Sequence, residues 1–291
     1  MHVTVVGAGQ MGSGIAQVSA MAGHNVVVRD IDADRVSAGI DGIEDTLAEG
    51  VDRGKVTGDE RNAALDRIEG IVDLEDAVAD ADLVIEAVPE DMDLKQDVLT
   101  DVEAAAPADV VLGSNTSSLP VTELASALDD PSRAIGLHFF NPPHLMDLVE
   151  VVVAEQTSDE TEAFAIDYVD TLEKESVVVR DTPGFATSRL GVALGLEAAR
   201  MVEEGVASPS DIDAGMREGY NHPMGPLELT DLVGLDVRLD IAESLRDELG
   251  ERFKPPQILK RKVRAGNLGK KTGTGFYEYD DNGNKTGPAD Y

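Results

Sequence analysis

Val3-Thr4-Val5-Val6-Gly7-Ala8-Gly9-Gln10-Met11-Gly12 is the stretch whose reading decides the fold. Residues 3–6 form a short apolar run that reads as a strand, and three glycines follow at 7, 9 and 12. A helical pattern covers 13–21 and stops at Gly23; a second strand covers 24–30 and closes on Asp30. Strand, glycine turn, helix, strand and acid stand in the order a dinucleotide site requires. The glycines permit a tight turn, let the backbone approach a pyrophosphate, and let the helix pack close to the sheet, while the helix N-terminus offers free N–H groups. Asp30 is positioned to accept from the adenosine ribose hydroxyls and to repel a 2′-phosphate. Gly7, Gly9, Gln10, Met11, Gly12 and Asp30 are therefore the expected cofactor contacts, and NAD is expected over NADP although Arg29 and Arg35 lie nearby.

Working outward, the alternation continues. Residues 36–65 read as polar helix interrupted at 54–58, and Arg53 and Lys55 make a small cationic island there. Most such islands are solvated surface; this one is also a candidate contact for a substrate phosphate. Strands are expected at 68–74, 83–88 and 110–113, with a helix at 93–105. Then come Ser114-Asn115-Thr116-Ser117-Ser118, five small hydroxyl or amide residues that cannot continue a core strand. They suit both a helix cap near 122–128 and a substrate contact, and the two uses are compatible. A helix at 158–173 and a strand at 176–181 complete the pattern of a Rossmann-type, doubly wound α/β sheet.

Composition changes at Asp181-Thr182-Pro183-Gly184-Phe185. Beyond it strand signals stop until the last residues, and helices are expected at 188–204, 210–218, 228–249 and 256–265. The expected domains are thus an NAD-binding unit at 1–182 and a helical unit at 183–291, the second completing the substrate cleft and giving a dimer surface.

Leu137-His138-Phe139-Phe140-Asn141-Pro142-Pro143-His144 leads, after a chain reversal, to Glu150 in another apolar run. His138 follows a buried strand and so sits at a carboxyl end, where open α/β sheets place ligands. Glu150 is costly to bury unless something holds it. The pair has the layout of a base and its orienting acid. A satisfied structural histidine and a solvated strand-face glutamate fit this stretch equally well.

Several motifs then resemble, in order and approximate spacing, those of the L-3-hydroxyacyl-CoA dehydrogenases. They are the glycine turn at 7–12, Ser114 to Ser118, His138-Phe139-Phe140-Asn141-Pro142, Asp181-Thr182-Pro183-Gly184-Phe185, Pro223-Met224-Gly225-Pro226, and Gly269-Lys270-Lys271-Thr272-Gly273-Thr274-Gly275-Phe276-Tyr277. The resemblance spans nearly the whole chain. It implies NAD-dependent, reversible oxidation of an L-3-hydroxyacyl-CoA, short-chain such as 3-hydroxybutyryl-CoA, by a homodimer. It also implies that His138 is the general base paired with Glu150, that Ser117 contacts the substrate oxygen, and that Asn141 lies near the nicotinamide. Glu90, Lys95 and Lys271 match further cofactor contacts. An imidazole titrates near pH 6.5 as a class, and a partner carboxylate fixes its tautomer. One position departs from the pattern: the family's asparagine after Pro-Gly-Phe is replaced by Ser188, which is expected to take its place directly or through a water. Two other readings share the scaffold, a dehydrogenase of free 3-hydroxy acids and a non-catalytic NAD-binding structural relative. The set of His138, Glu150 and Ser117 argues against the second, because nothing structural requires all three.

The 291 residues carry 57 acidic against 24 Lys and Arg side chains, a net charge of -33. Such a field repels nucleic acid and anionic membranes. With no cysteine, disulfides and thiolate metal sites are excluded, and no metal is expected. The start leads straight into a strand without a basic leader, so the chain is expected to be soluble and cytoplasmic. Acidic residues scattered along a lysine-poor chain suit a salt-loaded cytoplasm, where the Debye length falls to about 3 Å at 1 M salt. A halophilic source is the resulting hypothesis. Its expected outcome is a higher Tm in molar salt than in dilute buffer; the reverse order would discard it.

Overall fold

The computed structural model describes residues 1–289. Contacts divide the chain into Met1–Thr182 and Pro183–Tyr291. In the first unit the elements run β1 (His2–Val6), α1 (Gln10–Met21), β2 (Asn25–Arg29), α2 (Ala33–Asp52), α3 (Gly58–Leu65), β3 (Ile68–Ile71), α4 (Leu74–Val78) and β4 (Leu83–Glu86). They continue with α5 (Met92–Ala105), β5 (Val111–Ser114), α6 (Val121–Ala125), β6 (Ala134–Phe139), β7 (Leu148–Val153), α7 (Asp159–Thr171) and β8 (Glu175–Arg180).

One eight-stranded sheet takes them in the order β3-β2-β1-β4-β5-β6-β7-β8. Every pairing is parallel except β6 with β7. Parallel strands covered on both faces must be apolar throughout, and β4, β5 and β6 are buried at every residue. Alternate residues feed different cores: Val5 and Ile85 join Ile15, Val28 and Val151, whereas Val6 and Val84 join Leu99, Val102 and Leu124. Full burial of each such side chain contributes about 1.5–3 kcal/mol. Strand order reverses between β1 and β4, and this switch point is where open α/β sheets leave a crevice for ligands.

The second unit holds α8 (Thr187–Glu203), α9 (Pro209–Tyr220), α10 (Pro226–Val233), α11 (Leu235–Leu249) and α12 (Gln257–Arg264). The single helix expected over 228–249 is two. Gly234 separates them with φ 107°, outside helical space, and a Cβ there would stand 2.9 Å from Asp236 Oδ1. Residues past 276 add a two-stranded hairpin, β9 (Tyr277–Tyr279) with β10 (Lys285–Pro288).

Two fully buried aspartates bind this hairpin to the helices. Asp231 on α10 accepts from the backbone N–H of Phe276 and of Tyr277, each at 2.8 Å, and from the Tyr279 hydroxyl at 3.1 Å. Asp213 on α9 accepts from the Tyr277 hydroxyl at 2.7 Å and from Leu227 N and Glu228 N at 2.9 Å. The latter two are first-turn donors of α10, whose Gly225 N-cap has no side chain to serve them. Burial pushes Asp231 up to about 6, against the pull of its three donors.

Candidate active site

The antiparallel turn-back of β7 on β6 sets His138 directly opposite Glu150. Directly opposed residues of an antiparallel pair point to one face, and His138 Nδ1 lies 2.8 Å from Glu150 Oε2. Glu150 is wholly buried and His138 6% exposed. A carboxylate accepts only, so the proton on this contact belongs to Nδ1, and in the neutral form of the ring Nε2 is then the nitrogen that carries the lone pair. The Phe140 ring leans on the imidazole with centroids 4.6 Å apart.

At the end of β1, the glycines meet the steric demands read from their spacing. A Cβ on Gly12 would fall 1.7 Å from the Gly7 carbonyl oxygen, and one on Gly7, φ 110°, would fall 2.7 Å from Ala87 O. Gly9 has nothing within 4 Å of its Cβ position, which leaves its backbone open to a ligand. The N-terminus of α1 carries no side-chain cap and no acid in its first turn, so its donors suit a pyrophosphate. Asp30 Oδ2 accepts from Ala8 N at 2.8 Å and Oδ1 from Ile31 N at 2.7 Å, tying the acid to the turn. Arg35 lies 3.3 Å from Asp32 and 4.0 Å from Asp30, a carboxylate-rich setting unsuited to a 2′-phosphate. These residues fit NAD. Gln10 is exposed and Met11 half-buried at the same turn.

Beyond the ends of β4 and β5, one carboxylate organises the hydroxyl-rich loop. Glu90 Oε1 accepts from Thr116 Oγ1 (2.7 Å), Ser117 N (2.9 Å), and Ser118 N and Oγ (3.0 Å each), with Ser117 Oγ at 3.3 Å. Burial opposes its ionisation, but Lys95 and these donors outweigh it and hold the carboxyl below its ordinary range. Lys95, expected as a cofactor contact, is 1% exposed. Its Nζ lies 2.7 Å from Glu86 Oε1, 3.3 Å from Glu90 Oε2 and 3.1 Å from Val88 O. Its geometry is that of an internal counter-charge holding the loop, and Glu90 is the more exposed member of the trio.

Glu86 escaped the sequence reading, and Asn115 entered it only as one of the five residues of the 114–118 loop. Glu86, wholly buried, also accepts from Ser114 Oγ at 2.7 Å and Val88 N at 2.6 Å. Asn115 Oδ1 accepts from Phe139 N at 2.9 Å, linking the loop to the strand that carries His138. The acid closing the apolar run Leu83-Val84-Ile85-Glu86 was the available signal. Asn141 is exposed on the loop after β6.

The remaining sites are dispersed. A cavity of about 310 Å³ is lined by Gly9, Gln10, Ser13, Thr46, Pro143 and His144 among others. Arg53, at the end of α2, pairs with Glu49, and Lys55 is exposed just beyond. In the second unit Ser188 stands in the first turn of α8, half-buried, and Lys271 Nζ pairs with Asp236 Oδ2 at 2.7 Å. Among the described residues, no helix is long and apolar enough to cross a membrane.

Comparison with known proteins gives matches along the chain. The family model for the 3-hydroxyacyl-CoA dehydrogenase NAD binding domain matches residues 2–182, and that for the C-terminal domain matches 184–279. A 3-hydroxybutyryl-CoA dehydrogenase of Bradyrhizobium diazoefficiens is 42% identical over 278 residues, covering 95% of this chain and 94% of that one. The crystal structure of (S)-3-hydroxybutyryl-CoA dehydrogenase PaaH1 from Ralstonia eutropha has a TM-score of 0.92 at 40% identity, covering 96% of this chain and 99% of that one. That of M. tuberculosis FadB2 has a TM-score of 0.90 at 44% identity, with 96% and 98% covered.

The internal role of Lys95 is measurable. Lys95→Met leaves Glu86 buried without its counter-charge and should cost about 3–5 kcal/mol in urea unfolding. The Glu86→Leu/Lys95→Met double variant should recover part of that loss. A single variant as stable as the parent would contradict the assignment.

Proposed function

The chain belongs to the 3-hydroxyacyl-CoA dehydrogenase family, and from that premise we propose how its residues carry the reaction. The enzyme is an NAD-dependent oxidoreductase that interconverts an L-3-hydroxyacyl-CoA and the 3-oxoacyl-CoA. The observation that carries the residue assignment is the 2.8 Å contact between His138 Nδ1 and the buried Glu150. His138 Nε2 takes the proton of the 3-hydroxyl. Glu150 stabilises the imidazolium that results, which a neutral partner would not do. The glycine turn, Asp30 and Glu90 would hold NAD, whose nicotinamide would supply the hydride acceptor. Ser117 bonds to the substrate oxygen, Asn141 orients the reacting groups, and Ser188 takes the family asparagine's place. Lys271 is the remaining cofactor contact in this proposal.

The substrate is proposed to be 3-hydroxybutyryl-CoA, as the relatives' names suggest. Its CoA stem is assigned to the cavity between α1, α2 and Pro143, which reaches Thr46. Arg53 lies seven residues further along, about 10 Å by helix rise, and with Lys55 offers cationic partners for phosphate on an otherwise acidic surface. A CoA stem gives that cavity and island a use that a free 3-hydroxy acid does not.

His138→Ala should lower kcat by about 10²–10⁴ in acetoacetyl-CoA reduction followed by NADH absorbance, with NADH affinity unchanged. A loss below tenfold would remove the base from His138. Free acetoacetate should be a far poorer substrate than acetoacetyl-CoA; equal turnover would transfer the assignment to a free-acid dehydrogenase.

Ser188→Ala should lower kcat/KM by more than about twofold, or roughly 0.4 kcal/mol. A smaller change would remove Ser188 from the site.

A further inference from the structure

The loop at 140–147 leaves β6 just after His138 and enters β7 just before Glu150. It carries Asn141 and, with Pro142, Pro143 and His144, forms one wall of the 310 Å³ cavity whose other wall is α1 and α2. Two of its residues, Leu145 and Met146, are apolar yet 65% and 38% exposed. A surface loop of this kind is mobile unless something anchors its backbone.

Here one ammonium holds two of its carbonyls. Lys174 Nζ donates to Pro143 O at 2.9 Å and to Met146 O at 2.6 Å. Its neighbour Glu175 donates its N–H to Asp147 O at 2.7 Å. Hydrogen bonds from a charged donor are roughly twice as strong as neutral ones. From the opposite side, Pro143 is buried against α1, where a Cβ on Gly14 would lie 2.7 Å from Pro143 Cδ. Glu173, directly before Lys174, has φ 56°, a left-handed conformation that a non-glycine residue keeps only where its surroundings impose it. That turn ends α7 and brings the lysine round to the carbonyls.

We infer that Lys174 is a positioning residue for substrate binding, setting the width of the acyl-CoA groove by holding Pro143 and Met146 from behind without touching the substrate. This rests on the assignment of that cavity to the CoA thioester. Its consequence falls on the thioester, because the glycine turn, which shares this cavity through Gly9 and Gln10, is tied to Asp30 and not to this lysine.

Lys174→Met should raise KM for acetoacetyl-CoA fivefold or more, while kcat and the KM for NADH stay within twofold. Lys174→Arg, which can still donate to both carbonyls, should return KM to within twofold of the parent. Gly14→Ala, which displaces Pro143 from the other side, should raise the same KM and serves if the Met variant fails to fold. If the parent enzyme prefers the CoA thioester over acetoacetate but Lys174→Met keeps its KM, the inference is overturned and the cavity assignment stands. A rise in both KM values together would also overturn it. A parent enzyme indifferent to CoA would overturn the assignment beneath it.

Discussion

A fully buried carboxylate needs a partner, and in this sheet the partner of Glu150 is fixed by a single reversal of strand direction. β7 is the one strand that runs against its neighbour β6, and that register alone brings Glu150 opposite His138. A parallel β7 would need a crossover of a dozen or more residues and would carry the carboxylate away. The reversal also makes the loop at 140–147, so one wall of the cavity and the His138–Glu150 pair come from one chain excursion. Slipping the register by one residue would turn the carboxylate to the other face.

Around that pair, carboxylates recur as organisers of donors. Glu90 collects the hydroxyls and amides of the 116–118 loop, Glu86 collects Lys95 and Ser114, and Asn115 ties the loop to β6. Each is energetically sensible only as a complete set, since a half-satisfied buried network costs more than an apolar core. The loop that offers Ser117 is therefore held from beneath, at the open ends of the strands.

What could be read from the sequence follows the range of the forces involved. The glycine turn was legible because its requirements are local: Gly12 has no room for a Cβ, Gly9 faces open space, and Asp30 closes the next strand. The alternation of strand and helix was legible for the same reason. Partner choice was not. Lys95 was expected to contact the cofactor, and only the fold brings it to Glu86 and buries it. Gly234 sits in a helical pattern, and nothing adjacent in sequence announces the Asp236–Lys271 pair that crowds it. Lys174 gave no signal either, because its partners are backbone carbonyls, which no side-chain pattern records.

The hairpin docked on Asp213 and Asp231 bears on how the molecule is made. Domains tend to fold as units as the chain is synthesised, but here residues 276 and 277 provide donors to aspartates made more than forty residues earlier. Until they leave the ribosome, Asp231 lacks the donors of 276, 277 and 279, and Asp213 lacks the Tyr277 hydroxyl. The helical unit is thus closed by residues 276–279, and a nascent chain halted before them waits with its interior unfinished.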